Sequence, residues 1–353
     1  MISSSQISVV MQGPIIGGKN DNPENQLTRR CIESIRKFLP EAELILSTWT
    51  GMDVTEISHD ILIQSGDPGT VKSYCEKNIN LNRQMVSTQA GLRMATRPYI
   101  FKMRTDTVLT GNAFLCMFEA FPARAAKHQI FTHRVMIWNI FTKTPIRSGI
   151  GCYHTSDIVS FGRGEDIRML WNVPLYLRTE EDLKEDERKM NQADVNETPI
   201  SYLVAEQYIW LQCINKKEPA FLPKRVTACD AALSEIYLAN NFIVLDTTQY
   251  EIEWKNAVMI NRAQWAEIYN HAEWQQIYKK YCDPKFRVPF SAELAKKQLF
   301  HLILTRATFL RCIYSWFYHK IVPDGHGRAP EPLGKAVVKK LKSWLTLGAP
   351  KSP

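Results

Sequence analysis

Hydrophobic and polar positions set out a regular alternation over the first 160 residues. "ISVVM" (Ile7 to Met11) is a short, nearly continuous apolar run of the kind a parallel strand shows when both its faces are covered, and it ends in "QGP". Over about 27–39 the spacing predicts a helix: Leu27, Cys31, Ile32, Ile35, Phe38 and Leu39 form one stripe. Arg29, Arg30, Glu33, Arg36 and Lys37 lie opposite, and Pro40 stops it. "AELILSTW" and "DILIQS" read as the second and third strands, the latter closed by the turn "GDPG". A second helix is expected over about 82–95, and Pro98 parts it from the strand "YIFKMRTDTVL" at 99–109. Further strands are expected at "QIFTHRVM" and "SDIVSFG". Strand and helix in alternation predict an α/β fold, a mostly parallel mixed sheet with helices on both faces.

After Phe161 the alternation fades. "TEEDLKEDERK" (179–189) is a charge run that reads as a solvated segment or as a lid over a site. A helix is then expected with Thr198 as N-cap and Pro199 in its first turn, carrying "ISYLVAEQYIWLQCI".

The strand at 99–109 departs from the pattern of its neighbours. Alternation puts Tyr99, Phe101 and Met103 on one face and Lys102, Arg104 and Asp106 on the other. On an edge strand this would be a solvated face with weak salt bridges. On an interior strand unpaired charge is expensive, and a ligand or metal completing the pairing explains it better. "QGP", "TWTGMD", "SGDPG" and "RTDT" all fall at carboxyl ends of expected strands, where sheets of this class collect ligands.

Composition narrows the class. The 353 residues are 45% hydrophobic and 23% charged, ordinary for a soluble globular chain. No apolar run reaches the ~18–20 residues of a spanning helix, and the opening residues lack the basic region of a secretory signal. Eight cysteines without a C-x-x-C pair read as reduced core residues in a cytosolic protein. The net charge of +8 is uneven: residues 285–353 carry 13 Lys and Arg against three acids, and residues 1–284 carry 31 against 33. That balance argues against a nucleic-acid-binding body, and no nucleic-acid partner is expected. The tail at 285–353 is read as basic amphipathic helix, from "AKKQLFHLILTRATFLRCIYSWFYHKIV" and from "GKAVVKKLKSWLTL", where Val337, Val338, Leu341 and Trp344 share a side. Such segments suit an anionic membrane interface; a helix docked on the domain is the alternative.

Two cations suit phosphate oxygens, and a lone carboxylate suits a divalent cation or a sugar hydroxyl. Neither a G-x-x-x-x-G-K-[ST] loop nor a G-x-G-x-x-G fingerprint is present, which weakens ATPase and dinucleotide readings. "VVMQGPI", "TRRCIESIRKFLPEAELILSTW", "NLNRQMVSTQAGL", "KMRTDTVL", "SDIVSFG" and "AEQYIW" together resemble the WavE-type lipopolysaccharide-synthesis family, over about residues 5–280. That family is similar to glycosyltransferases of the GT-A fold. The resemblance implies assembly of a lipopolysaccharide or capsular glycan from a nucleotide-sugar donor. It implies a GT-A-like, Rossmann-like domain at 1–284, with a nucleotide-sugar half (1–110) and an acceptor half (111–284). Together with the basic tail it implies a cytoplasmic enzyme, peripheral on the inner face of the cytoplasmic membrane and acting on a glycan or glycolipid. A sugar- or polyol-phosphate transferase and a non-catalytic assembly protein are the alternatives.

Carried onto this sequence, "RTD" takes the place of the D-x-D metal motif, with Arg104 at the first acidic position and Asp106 as the remaining carboxylate. Either Asp106 holds Mn2+ or Mg2+, or Arg104 and Lys102 neutralise the leaving phosphate directly, an arrangement suited to a CMP-linked sugar. Gln12, Gly13 and Pro14 would border base and ribose, Gly13 by close backbone approach or as a plain turn residue. Asp67 would bind base or ribose, or simply form its turn. Asn82 is expected to cap the second helix, with Arg83 and Gln84 in its first turn; the group serves an anion or capping alone. For the base that deprotonates the acceptor hydroxyl the candidates are Glu206, bracketed by Tyr202, Trp210 and Cys213, and Asp157, with His154 beside it. A structural Glu and a structural His are the competing readings.

Overall fold

The computed structural model describes residues 2–17, 26–72, 78–145, 151–177, 181, 184, 197–199, 204–219, 225–227, 230–254 and 267–306. Two compact units divide these residues, one made of the segments up to 254 together with 267–288, the other holding those from 289 onward. The first unit begins β1 (Ile7–Gln12), α1 (Leu27–Phe38), β2 (Glu43–Trp49), β3 (Ile61–Ser65), β4 (Val71–Lys72), β5 (Asn78–Ile79), α2 (Leu81–Met94), β6 (Tyr99–Arg104) and β7 (Thr107–Leu109). It continues with β8 (Val135–Trp138), β9 (Ser160–Arg163), α3 (Gly164–Trp171), β10 (Glu197–Pro199), α4 (Ala205–Lys217) and β11 (Arg225–Thr227). The last elements are α5 (Asp230–Asn241), β12 (Phe242–Leu245), α6 (Thr247–Tyr250), β13 (Ile252–Trp254) and α7 (His271–Tyr281).

Seven strands form the central sheet in the order β12-β8-β9-β6-β1-β2-β3. All neighbours are parallel except β9, which runs antiparallel to both β6 and β8. The fold is α/β and Rossmann-like, as expected, and β6 is an interior strand. Both faces of the sheet are covered. Val10 of β1 pairs with Lys102 of β6, so the two share a face. That face meets α2 at Gly91, where an added Cβ would stand 2.5 Å from Val10 Cγ1, and meets α3 at Trp171. On the opposite face Phe101 packs on Phe114 (5.2 Å between centroids), Phe161 (6.2 Å) and Tyr250 (6.1 Å). This cluster is why Tyr99, Phe101 and Met103 are all buried.

Three local expectations are corrected. The strands expected at 129–136 and 156–162 begin only at Val135 and Ser160. Side chains take the place of the ladder before those points. Asn241 Oδ1 accepts from the amides of Ile130 and Phe131, and the Asp166 carboxylate accepts from those of Thr132 and His133. Lys102 Nζ donates to the carbonyls of Asp157 and Ile158. Thr198 is no helix cap: it pairs with Val226 between β10 and β11, and α4 starts at Ala205. Asn82 is no cap either. The N-cap of α2 is Asn80, while Asn82 lies buried and exchanges two hydrogen bonds with the backbone of Tyr176.

In the second unit α8 (Ala292–Arg306) covers the start of the expected basic segment, with Leu294 and Lys297 buried and Phe290 and Leu299 exposed. The remainder of that segment, and the one at 334–347, lie outside the described residues. Among the described residues no helix is long and apolar enough to cross a membrane.

Candidate functional site

At the carboxyl ends of β1, β2 and β6, beside the start of α2, lies a cavity of about 360 Å3. Gln12, Gly13, Pro14 and Ile16 form one wall, Trp49 and Met52 another, Asn80, Arg83 and Gln84 a third, with Asp67, Arg104, Thr105 and Asp106 completing it. Sheet register builds it: Gln12 pairs with Ser47 on one side and Arg104 on the other, so three strand ends lie level. Backbone and side-chain bonds then tie β1 to β6. Thr105 N donates to Gln12 O at 3.1 Å, and Thr105 Oγ1 to Pro14 O at 2.7 Å. Gly13 holds φ +131°, a value side chains rarely adopt, and a Cβ there would sit 2.8 Å from Thr105 Oγ1. Gln12 is fixed by Ser87 of α2, whose hydroxyl donates to its Oε1 at 2.8 Å.

Two arginine–carboxylate pairs line the space. Arg104 donates through Nε and Nη2 to the two oxygens of Asp106, both at 2.8 Å, and Trp254 Nε1 adds a bond to Asp106 Oδ2 at 3.0 Å. The Arg104 guanidinium lies 5.3 Å from the Trp254 ring centroid. Burial alone would raise the Asp106 carboxyl; the bonds and charge of Arg104 outweigh it and hold the group below its ordinary range. Arg83 grips Asp67 in the same two-pronged way, at 2.8 and 2.6 Å, and also donates to Asn80 Oδ1. These bonds from Arg83 hold Asp67 low.

Lys102 does not line the cavity. It is fully buried, its Nζ held by the carbonyls of Asp157 and Ile158 and lying 4.2 Å from the Trp171 ring centroid. Gln84 reaches from the cavity wall to the same Asp157 carbonyl at 3.1 Å. Asn82, turned to Tyr176, does not line the cavity either.

The two carboxylates expected to serve as base lie together. Glu206, in the first turn of α4 and half-buried, is pushed up to about 8, first by burial and then by the charge of Asp157, with Lys143 opposing. Asp157 in turn supports the charge of Arg104 on the cavity wall. His154 Nδ1 donates to Phe141 O over 2.6 Å, and burial, then Lys143, lowers the ring to about 3, leaving it neutral with little proton affinity.

The model for WavE lipopolysaccharide synthesis matches residues 7–309. The chain belongs to this family. No curated protein matches it. Membership ties the protein to lipopolysaccharide synthesis, and the match continues beyond residue 280, where the resemblance read from motifs ends, through the whole of α8. In this WavE protein the cavity, the Lys102 clamp and both acids all fall inside the matched span.

Sequence reasoning missed Trp49, Met52, Asn80, Thr105 and Trp254. "TWTGMD" had marked a strand end, and Trp49 is the last residue of β2. Trp254 had no local signal: β13 pairs antiparallel with β7, setting Trp254 opposite Thr107 and so beside an aspartate 148 positions earlier. A divalent cation, which a GT-A-like site implies, fits this donor set poorly. Both oxygens of Asp106 are bonded to a guanidinium, and the cavity's other carboxylate, Asp67, is chelated by Arg83.

Proposed function

We propose that this WavE protein is a glycosyltransferase that moves a sugar from a nucleotide-linked donor onto a growing lipopolysaccharide or capsular glycan. It works on the cytoplasmic face of the inner membrane, to which the basic segment at 285–353 attaches it. The observation that carries the reading is the cavity at the strand ends, with arginines on two walls and a pair of acids adjoining it through Arg104. Gln12, Gly13, Pro14 and Trp49 form the surface for base and ribose. Arg104 and Arg83 hold the phosphate, guanidinium being the side chain whose planar fork matches it.

The reaction balances on this chain's own groups. The acceptor oxygen attacks the anomeric carbon as its proton passes to Glu206, whose raised proton affinity suits a base. The bond from that carbon to the phosphate oxygen breaks, and the electron pair leaves with the nucleotide. Arg104 lies on the cavity wall to meet the charge that develops there. Lys102, by clamping the backbone at 157–158, fixes where Asp157 stands beside Glu206.

A thermal-shift panel of UDP, GDP, CMP and dTDP on the full chain, with and without Mn2+, tests the donor site. At least one nucleotide is expected to raise the midpoint. Silence across the whole panel sinks the proposal. Product analysis then separates sugar transfer from transfer of a sugar phosphate, which would leave phosphorus in the glycan.

A further inference from the structure

The charges around the cavity cancel in pairs. Among the described residues its wall carries four ionised side chains, Arg83, Asp67, Arg104 and Asp106, and each arginine already faces one aspartate through two bonds of 2.6–2.8 Å. A divalent cation set on Asp106 would stand beside the Arg104 guanidinium and would have to displace it. Trp254 Nε1, bonded to the same carboxylate, stabilises the occupied arrangement. Asp67 offers no better seat, since it also receives the amide of Gly69 at 2.9 Å.

We infer that the donor's phosphate is held by Arg104 and Arg83 without a divalent cation, and that the donor is a sugar linked to a nucleoside monophosphate. This rests on the glycosyltransferase reading and deepens it. A phosphodiester brings one negative charge into a cavity whose own charges sum to zero, and each arginine keeps donors of its fork to offer. A diphosphate brings two charges and spreads a third over its length on leaving, the load a bridging cation ordinarily carries. With a single phosphate, the bond from the anomeric carbon breaks and the second charge develops on that same group. A planar guanidinium meets it there through two parallel N–H bonds. Asp106 then has the role of aiming Arg104, not of binding metal.

Calorimetric titration of the full chain with CMP, UMP and GMP, and with CDP, UDP and GDP, each in EDTA and in Mn2+, decides the matter. At least one monophosphate should bind in EDTA, its affinity changing less than about threefold in Mn2+, and the second phosphate should add less than about threefold. Arg104→Ala should weaken that nucleotide about tenfold or more. Arg83→Ala, whose pair with Asp67 is exposed, should also weaken it and serves should the first variant fold poorly. Binding that needs Mn2+, or a diphosphate bound about tenfold tighter than its monophosphate, overturns the inference and leaves the glycosyltransferase reading standing. Binding of none of the six, with or without Mn2+, overturns the inference, and overturns the glycosyltransferase reading as well when dTDP is also silent.

Discussion

Glu206 should make stability and activity run in opposite directions along the pH axis, and Glu206→Gln should remove both trends. The carboxyl has an ordinary value of 4.5 and is raised to about 8 in the fold, by burial first and then by Asp157. A group raised in this way binds more protons folded than unfolded between those two values. Stability is therefore withdrawn as pH rises from about 4.5 to about 8. One fully shifted group gives a slope of about 1.4 kcal/mol per pH unit. Glu206 is only half-buried, so about half that slope is reasonable. From pH 5 to 8 this sums to about 2 kcal/mol. The unit containing α4 has about 280 residues and an unfolding entropy of about 600 cal/mol/K, so the midpoint should fall by about 3 °C.

The assay compares melting curves of the two proteins at half-unit pH steps. The neutral amide cannot lose a proton, so the wild-type decline should vanish from the variant. His154, lowered to about 3 by burial, adds stability as pH climbs toward 6.5, but it is common to both proteins and cancels in the difference. Transfer activity should run the other way, rising about tenfold per pH unit below the raised value because the base acts only when ionised, and it should be lost in the variant. A pH-independent gap in midpoint between the two proteins, or a variant that still transfers sugar, refutes the reasoning.

Lys102→Met keeps the stem and removes the ammonium that holds the carbonyls of Asp157 and Ile158. Turnover should drop about tenfold while donor affinity stays within about twofold, because Lys102 does not line the cavity; steady-state kinetics with nucleotide titration separate the two. Gly91→Ala places a Cβ 2.5 Å from Val10 Cγ1 and 3.2 Å from Ser47 Cβ, an overpacking of about 1–3 kcal/mol that a melting curve should show as a lower midpoint. Trp254→Phe removes the 3.0 Å bond to Asp106 and should cost about 1 kcal/mol, with the donor KM rising severalfold as Arg104 loses its fixed partner.

Local pattern carried most of the sheet. β1, α1, β2, β3 and α2 lie within a residue or two of where alternation and helical spacing put them, because each buries a face against its neighbours. The strand expected at 99–109 starts where predicted but is split: β6 ends at Arg104, Thr105 and Asp106 form a turn, and β7 pairs with β13 outside the central sheet. The misplaced starts of β8 and β9 share one cause. At 129–134 and 156–159 the amides and carbonyls are satisfied by Asn241, Asp166 and Lys102, side chains remote in sequence, and an apolar run alone does not say whether a ladder or a side chain takes its hydrogen bonds. Of the cavity wall, Gln12, Gly13, Pro14, Asp67, Arg104 and Asp106 were named at strand ends, and Arg83 and Gln84 in the first turn of the second helix. Lys102 shows the limit of that rule: parity gives its face, not its depth along the strand.

Depth is what divides the charged face of β6. Lys102 pairs with Ser160 of antiparallel β9, the last rung of that ladder, whereas Arg104 lies beyond it and keeps only the Gln12 partner in β1. At the last rung the chain entering β9 roofs the strand, so a cation there must be satisfied by backbone: the carbonyls of Asp157 and Ile158 supply this. One full pleat further on the roof has ended, and a cation of the same parity looks into the cavity with Asp106 to aim it. Beginning β9 at Ser160 therefore gives two basic side chains different work, one holding the segment that carries Asp157 and the other, paired with Asp106, lining the cavity. Moving that end by two pairs would bury Arg104 or uncover Lys102, which makes the point where β9 joins β6 the constraint on which the site depends.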